Sequence, residues 1–103
     1  MRDSNTDEQH ALAHRFADVA LPADATDSCP WGWHGADDWR RGFLVKEWEV
    51  GKIWVSVAGE QDHHGKVTPW LQVNGGDECT PFERRRLIAV LMSAGRLFDS
   101  LAA

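Results

Sequence analysis

The segment Thr80–Leu101 constrains this chain most, because it alone carries a long, unbroken helical period. Leu87, Val90, Leu91, Ala94, Leu97, Phe98 and Leu101 recur at three- and four-residue spacing and fall on one stripe of an α-helix. Arg85, Arg86, Ser93, Arg96 and Ser100 lie away from its centre. Thr80 suits an N-cap, Glu83 completes a capping box, and Pro81 occupies the first helical position, where its missing N–H costs nothing. Burying such a stripe contributes about 1.5–3 kcal/mol for each large side chain, so it must cover another element. Gly95 inside the helix costs about 1 kcal/mol relative to Ala.

Strands supply that element. Phe43–Val50 and Lys52–Ala58 flank Gly51 and predict a tight hairpin; Val67–Asn74 predicts a third strand after the polar loop Gly59–Lys66. Asn74-Gly75-Gly76-Asp77 reads as a turn into the last helix. Ile53, Val55 and Val57 share one face of strand two, and Val67, Leu71 and Val73 share one face of strand three. These aliphatic faces are expected under the C-terminal helix, with Trp54 and Trp70 on the opposite side. Pro69 cannot donate to a ladder, which places strand three at an edge or Pro69 at a bulge. Strand one has no clean alternation, and its facing stays open: Phe43 and Val45 oppose Leu44, Lys46, Trp48 and Val50.

Upstream, Thr6-Asp7-Glu8-Gln9 resembles a capping box, and Leu12, Phe16 and Val19 predict a helix over 6–20 that Pro22 ends; residues 1–5 are expected to fray. Residues 22–42 have no period but hold Trp31, Trp33 and Trp39, which reads as an ordered, Trp-anchored loop. The expectation is a single α+β domain over 1–103: helix, three-stranded antiparallel sheet (43–74), then a helix over 80–101 packed on one sheet face.

The chain of 103 residues has a formal net charge of -5, which argues against general affinity for nucleic acid or anionic membrane. Its start lacks an apolar signal region, no apolar run approaches the about 18 residues of a membrane span, and two cysteines make no disulfide framework. A cytoplasmic protein is the expectation. The compositional outlier is six Trp with four Phe and no Tyr.

Four site readings follow. Trp54 and Trp70, with Trp31, Trp33 and Trp39, form either a surface for a protein partner or a second copy, or a second small core in which the loop folds over the sheet. Cys29, His34, His63, His64 and Cys79 offer zinc-type ligands, but Cys29-x4-His34 has no matching second pair. Asp62-His63-His64 offers an oriented base, without any nucleophile motif or phosphate cradle beside it. The element order matches that of double-stranded-RNA-binding domains, and Arg84, Arg85 and Arg86 begin the last helix, against an acidic balance. The reading preferred is a non-enzymatic protein-interaction module with no cofactor.

Cys29-Pro30-Trp31 with His34 and Trp39, and Thr80-Pro81 opening a helix with Arg86-Leu87, Leu91 and Ala94, resemble a group of small uncharacterised proteins from actinobacteria and their phages. Gly32 and Trp33 stand where that group carries a second cysteine. The resemblance covers about a third of the chain and implies an intracellular, phage-encoded accessory protein with no assigned activity.

Overall fold

Two long antiparallel strands form the spine of the computed structural model, which describes residues 4–76 and 78–102. The side chains of residues 4–6 and 8 also lie outside the described set. The elements are α1 (Ser4–Arg15), β1 (Asp27–Ser28), β2 (Gly32–Trp33), β3 (Trp39–Val50), β4 (Ile53–Asp62), β5 (Val67–Gly75) and α2 (Pro81–Ala102). All pairings are antiparallel, in the order β1-β3-β4-β5, with β2 also on β3. The α+β class is as expected, but the sheet has five strands rather than three. Among the described residues, no helix is long and apolar enough to cross a membrane.

The additions have physical causes. The segment 22–42, expected as loop, contributes β1, β2 and the start of β3, because its backbone pairs along the free edge of β3. The loop expected over 59–66 shrinks, because β4 continues to Asp62. Its polar end is held by cross-strand partners: Arg40 bonds Glu60, and Arg41 bonds Gln61. Helix α1 stops at Arg15 instead of about residue 20: the bonds from Ala17 to His14 and from Val19 to Phe16 tighten into a turn. The fraying expected for 1–5 and the cap expected at Thr6 rest partly on residues 1–3 and the Thr6 side chain, outside the described residues. Asp77, in the turn expected before α2, lies outside them too.

Strand β3 contains a bulge. Leu44 pairs with Ala58 and Lys46 with Val57, leaving Val45 unpaired. Phe43 and Val50 have opposite parity, yet both are buried with Val55, Val57, Val90 and Ala94. The bulge reconciles them, which answers the facing that the alternation left open. Leu71, Leu87, Leu91, Leu97 and Leu101 complete this core between the sheet and α2. A second cluster joins Leu12, Phe16 and Trp31, with Val19 and Trp39 against it. Pro69 lies on β5, an edge strand, where a missing donor costs least.

Gly51 and Gly59 are among the glycines required by geometry. Gly51 has φ 60 and begins a two-residue hairpin loop between Val50 and Ile53; a β-carbon there would collide with the Glu83 carboxylate. At Gly59 a β-carbon would come within 2.6 Å of the Phe43 ring. Gly59→Ala is expected to cost about 1–3 kcal/mol in urea unfolding, with Phe43→Leu recovering part of the loss in the double variant.

The capping box of α2 forms as expected. Glu83 N–H donates to Thr80 Oγ1 at 3.1 Å, and Thr80 N–H donates to Glu83 Oε1 at 3.0 Å. The Thr80 backbone N–H, then its hydroxyl, holds the Glu83 carboxyl below its ordinary value. Since the folded-state pKa is the lower one, the contribution is complete above the unfolded value and is lost as pH falls through the folded value. Thr80→Ala should cost about 1 kcal/mol at neutral pH, and the variant's melting temperature should fall less steeply than wild type through the carboxylate range.

Candidate functional site

Strand register divides the sheet into two unlike faces. Ile53, Val55, Val57, Gly59 and Gln61 point one way on β4, together with Phe43, Trp48 and Val50 across the ladder. This face meets α2, and the segment after α1 joins it: Gln61 Nε2 donates to Ala20 O at 2.8 Å, and Arg41 Nη2 to Val19 O at 2.7 Å. Both helical ends of the chain therefore cover the same side. The opposite face presents Leu44, Glu47 and Glu49 from β3, Trp54, Ser56, Ala58 and Glu60 from β4, and Thr68, Trp70, Gln72 and Asn74 from β5. None of these side chains is buried. The segment 22–42, which one of the two alternatives folds over this face, instead extends the sheet in its own plane through β1 and β2.

Trp54 and Trp70 are 44% and 40% exposed on this uncovered face. Trp54 pairs with Asn74 and Trp70 with Ala58, so the indoles sit four β4 residues apart, about 13 Å along the strands. Leu44, Ala58 and Trp70 form one cross-strand row. Beside it lies an open, largely apolar hollow of about 200 Å³ lined by Cys29, Gly42, Leu44 and Trp70 among others. Gly42 leaves its floor without a side chain, and small Ala58 separates Leu44 from Trp70. The hollow was not legible in the sequence, because Gly42 falls at the end of the segment expected as loop and only the extension of β3 back to Trp39 puts it inside a strand.

Charge frames the aromatic pair. Glu49 lies opposite Trp54 and Glu47 opposite Ser56. At the other end Arg40 is held by Asp38 at 2.7 Å and Glu60 at 3.0 Å. The hydrogen bond from Arg40 holds the Asp38 carboxyl below its ordinary value, and the Asp38 bond raises the Arg40 pKa in turn. The surface is thus apolar at its centre and acidic at the Trp54 end.

The remaining nominated tryptophans separate. Trp31 is 5% exposed, with its ring 4.9 Å from that of Phe16, and Trp39 packs against the same cluster. Trp31 is thus a buried residue of this cluster and Trp39 a half-buried one beside it. Trp33 is 64% exposed at the β2–β3 hairpin, where its indole N–H donates to Ala36 O. Neither Trp33 nor Trp39 lies over Trp54 and Trp70.

The zinc-type residues are dispersed. Among the described residues, no three His, Cys, Asp or Glu side chains come together as a metal-holding group. The His63 and His64 rings lie 4.1 Å apart with their planes tilted by 40°, and His63 Nδ1 accepts the Trp39 backbone N–H at 3.2 Å. His34 sits in the β2–β3 turn, where its N–H donates to Asp38 O. Cys29 borders Gly42, whereas Cys79 shares a cleft with Lys52. About eight strand residues, roughly 26 Å, separate Gly42 from that turn, beyond disulfide reach. Asp62 Oδ1 accepts the backbone N–H groups of His64 and Lys66, so this carboxylate shapes the turn rather than orienting an imidazole. Arg84, Arg85 and Arg86 are exposed on α2.

Acrylamide should quench Trp33, Trp54 and Trp70 readily, and Trp31→Phe should remove the most protected component of the emission. No family model, curated protein or solved structure matches the chain.

Proposed function

We propose that this chain is a non-enzymatic interaction module that binds a protein partner, or a second copy of itself, through the uncovered sheet face. The observation carrying this reading is the half-exposed pair Trp54 and Trp70 on a face that neither helix covers. Truncating tryptophans at protein interfaces often costs 2 kcal/mol or more, about thirtyfold in affinity. The hollow beside Trp70 accepts one apolar side chain, with Leu44 as its far wall. Glu47 and Glu49 near Trp54 favour a partner surface with basic residues at that end. Trp33, Trp31 and Trp39 leave the proposed contact set: the first is remote on the hairpin, the others are packed.

The test uses Trp54→Ser, Trp70→Ser and the double variant. Light scattering reads self-association, and tagged full-length protein in its native host reads partner capture. Each single variant should weaken association by about tenfold or more while its melting temperature stays close to wild type, because neither indole is core. A wild-type protein that stays monomeric and retains no Trp-dependent partner removes the reading. So does unfolding of both single variants.

A further inference from the structure

On the helix-covered face, the half-buried guanidinium of Arg41 has no anionic partner among the described residues. Arg41 Nε and Nη2 donate to Gln61 Oε1 at 2.9 and 2.8 Å, and Nη2 donates to Val19 O at 2.7 Å. Its Cζ stands 4.6 Å from the centre of the Trp31 ring. Both oxygens are neutral, and the third partner is a π face. Arg41 takes part in none of the ion pairs among the described residues, and its Nη1 makes no hydrogen bond there. Burial lowers its pKa, yet a guanidinium remains charged in a protein. Such a group is fixed in orientation, partly stripped of water, and still has two N–H bonds to offer.

Arg41 lines a cleft of about 380 Å³ between α1 and the segment leading to Trp31. Ala13, Phe16 and Pro30 supply apolar wall, and His10 and Ser28 supply polar groups. Gln9, also in the wall, is committed to the Trp31 carbonyl at 3.1 Å. The volume lies in the range of small-molecule sites, which pair mostly apolar walls with a few placed polar groups.

We propose that this cleft binds a small organic acid, its carboxylate on Nη1 of Arg41 and its apolar body against Ala13, Phe16 and Pro30. A carboxylate fits better than a phosphate. One free guanidinium nitrogen matches a single negative charge, whereas a phosphate dianion calls for several cationic or backbone donors. The overall charge of -5 gives no general attraction for anions, so binding depends on this one group.

The test is an NMR titration of the full chain, following the Arg41 Nε–H and the indole N–H signals. The probes are benzoate, acetate and inorganic phosphate. Benzoate should give saturable shifts at Arg41 and Trp31 in the millimolar range, leaving Trp54 and Trp70 unmoved. Acetate should bind more weakly, and phosphate should give no saturable shift. Arg41→Gln should weaken benzoate binding by about tenfold or more. Since that change also removes the bonds to Val19 and Gln61, Ala13→Phe provides an independent arm. Ala13 is exposed on α1, so its substitution fills the cleft without touching Arg41 and should abolish the shifts at unchanged melting temperature. The proposal is overturned if benzoate gives no saturable shift, if it binds the Ala13→Phe protein as well as wild type, if phosphate matches it, or if its shifts map to Trp54 and Trp70.

Discussion

The single unpaired residue Val45 decides how this molecule is layered. Strand β3 is 12 residues long and carries Trp39, Arg41 and Phe43 before Val45, and Trp48 and Val50 after it; Trp39 packs against the smaller cluster, whereas Phe43, Trp48 and Val50 join the larger one. Strict alternation would send these groups to opposite faces. One extra residue reverses the parity, and both groups then face the same way as the regular row from Ile53 to Gln61 on β4. Consequently α2 and the segment following α1 occupy one side. A smallest extent of 22 Å agrees with one sheet layer and one helical layer, each about 10 Å thick.

Between the two clusters lies a polar seam. Gln61 is buried, donates to Ala20 O and accepts from Arg41, while Arg41 reaches Val19 O. The chain leaving α1 is thereby tied to one end of the β3–β4 pair by side-chain bonds to its carbonyls. No described buried side-chain nitrogen or oxygen lacks a partner, so the seam carries no desolvation penalty from an orphaned group. Trp31 closes the second cluster from the other side, packing on Phe16 and under Arg41. Its burial explains why a segment poor in apolar periodicity is ordered.

What the sequence made legible follows from how local each signal is. The α2 cap and stripe depend on spacing within one helix, and both appear as read. The aliphatic face of β4 and, on β5, Val67 and Leu71 depend on alternation and lie against the core as expected, with Trp54 and Trp70 behind them, whereas Val73, expected beneath α2, is 50% exposed. The missed features are non-local. β1 and β2 exist because the β3 edge offers unpaired backbone groups, not because Asp27-Ser28 or Gly32-Trp33 favour strands. The polar end of β4 looks like a loop until Arg40 and Arg41 are known to face it. The separation of Trp31 and Trp39 from Trp54 and Trp70 required the position of α1, which no period in residues 22–42 encodes.

An antiparallel sheet can leave one side to water, and most of this uncovered side suits that: Glu47, Glu49, Ser56, Thr68, Gln72 and Asn74 are ordinary solvent-facing choices. Against that background the two indoles are the departure. Neither contributes to a buried cluster, so fold stability does not require them there. The hollow makes the same point through absence: Gly42 withholds a side chain there, although a β-carbon would meet Cys29 Sγ at an ordinary 3.6 Å. The edge strand β5, by contrast, carries Pro69 near its middle, which discourages strand-to-strand pairing of copies along that edge. Association through the face rather than the edge is therefore the mode the residue choices favour.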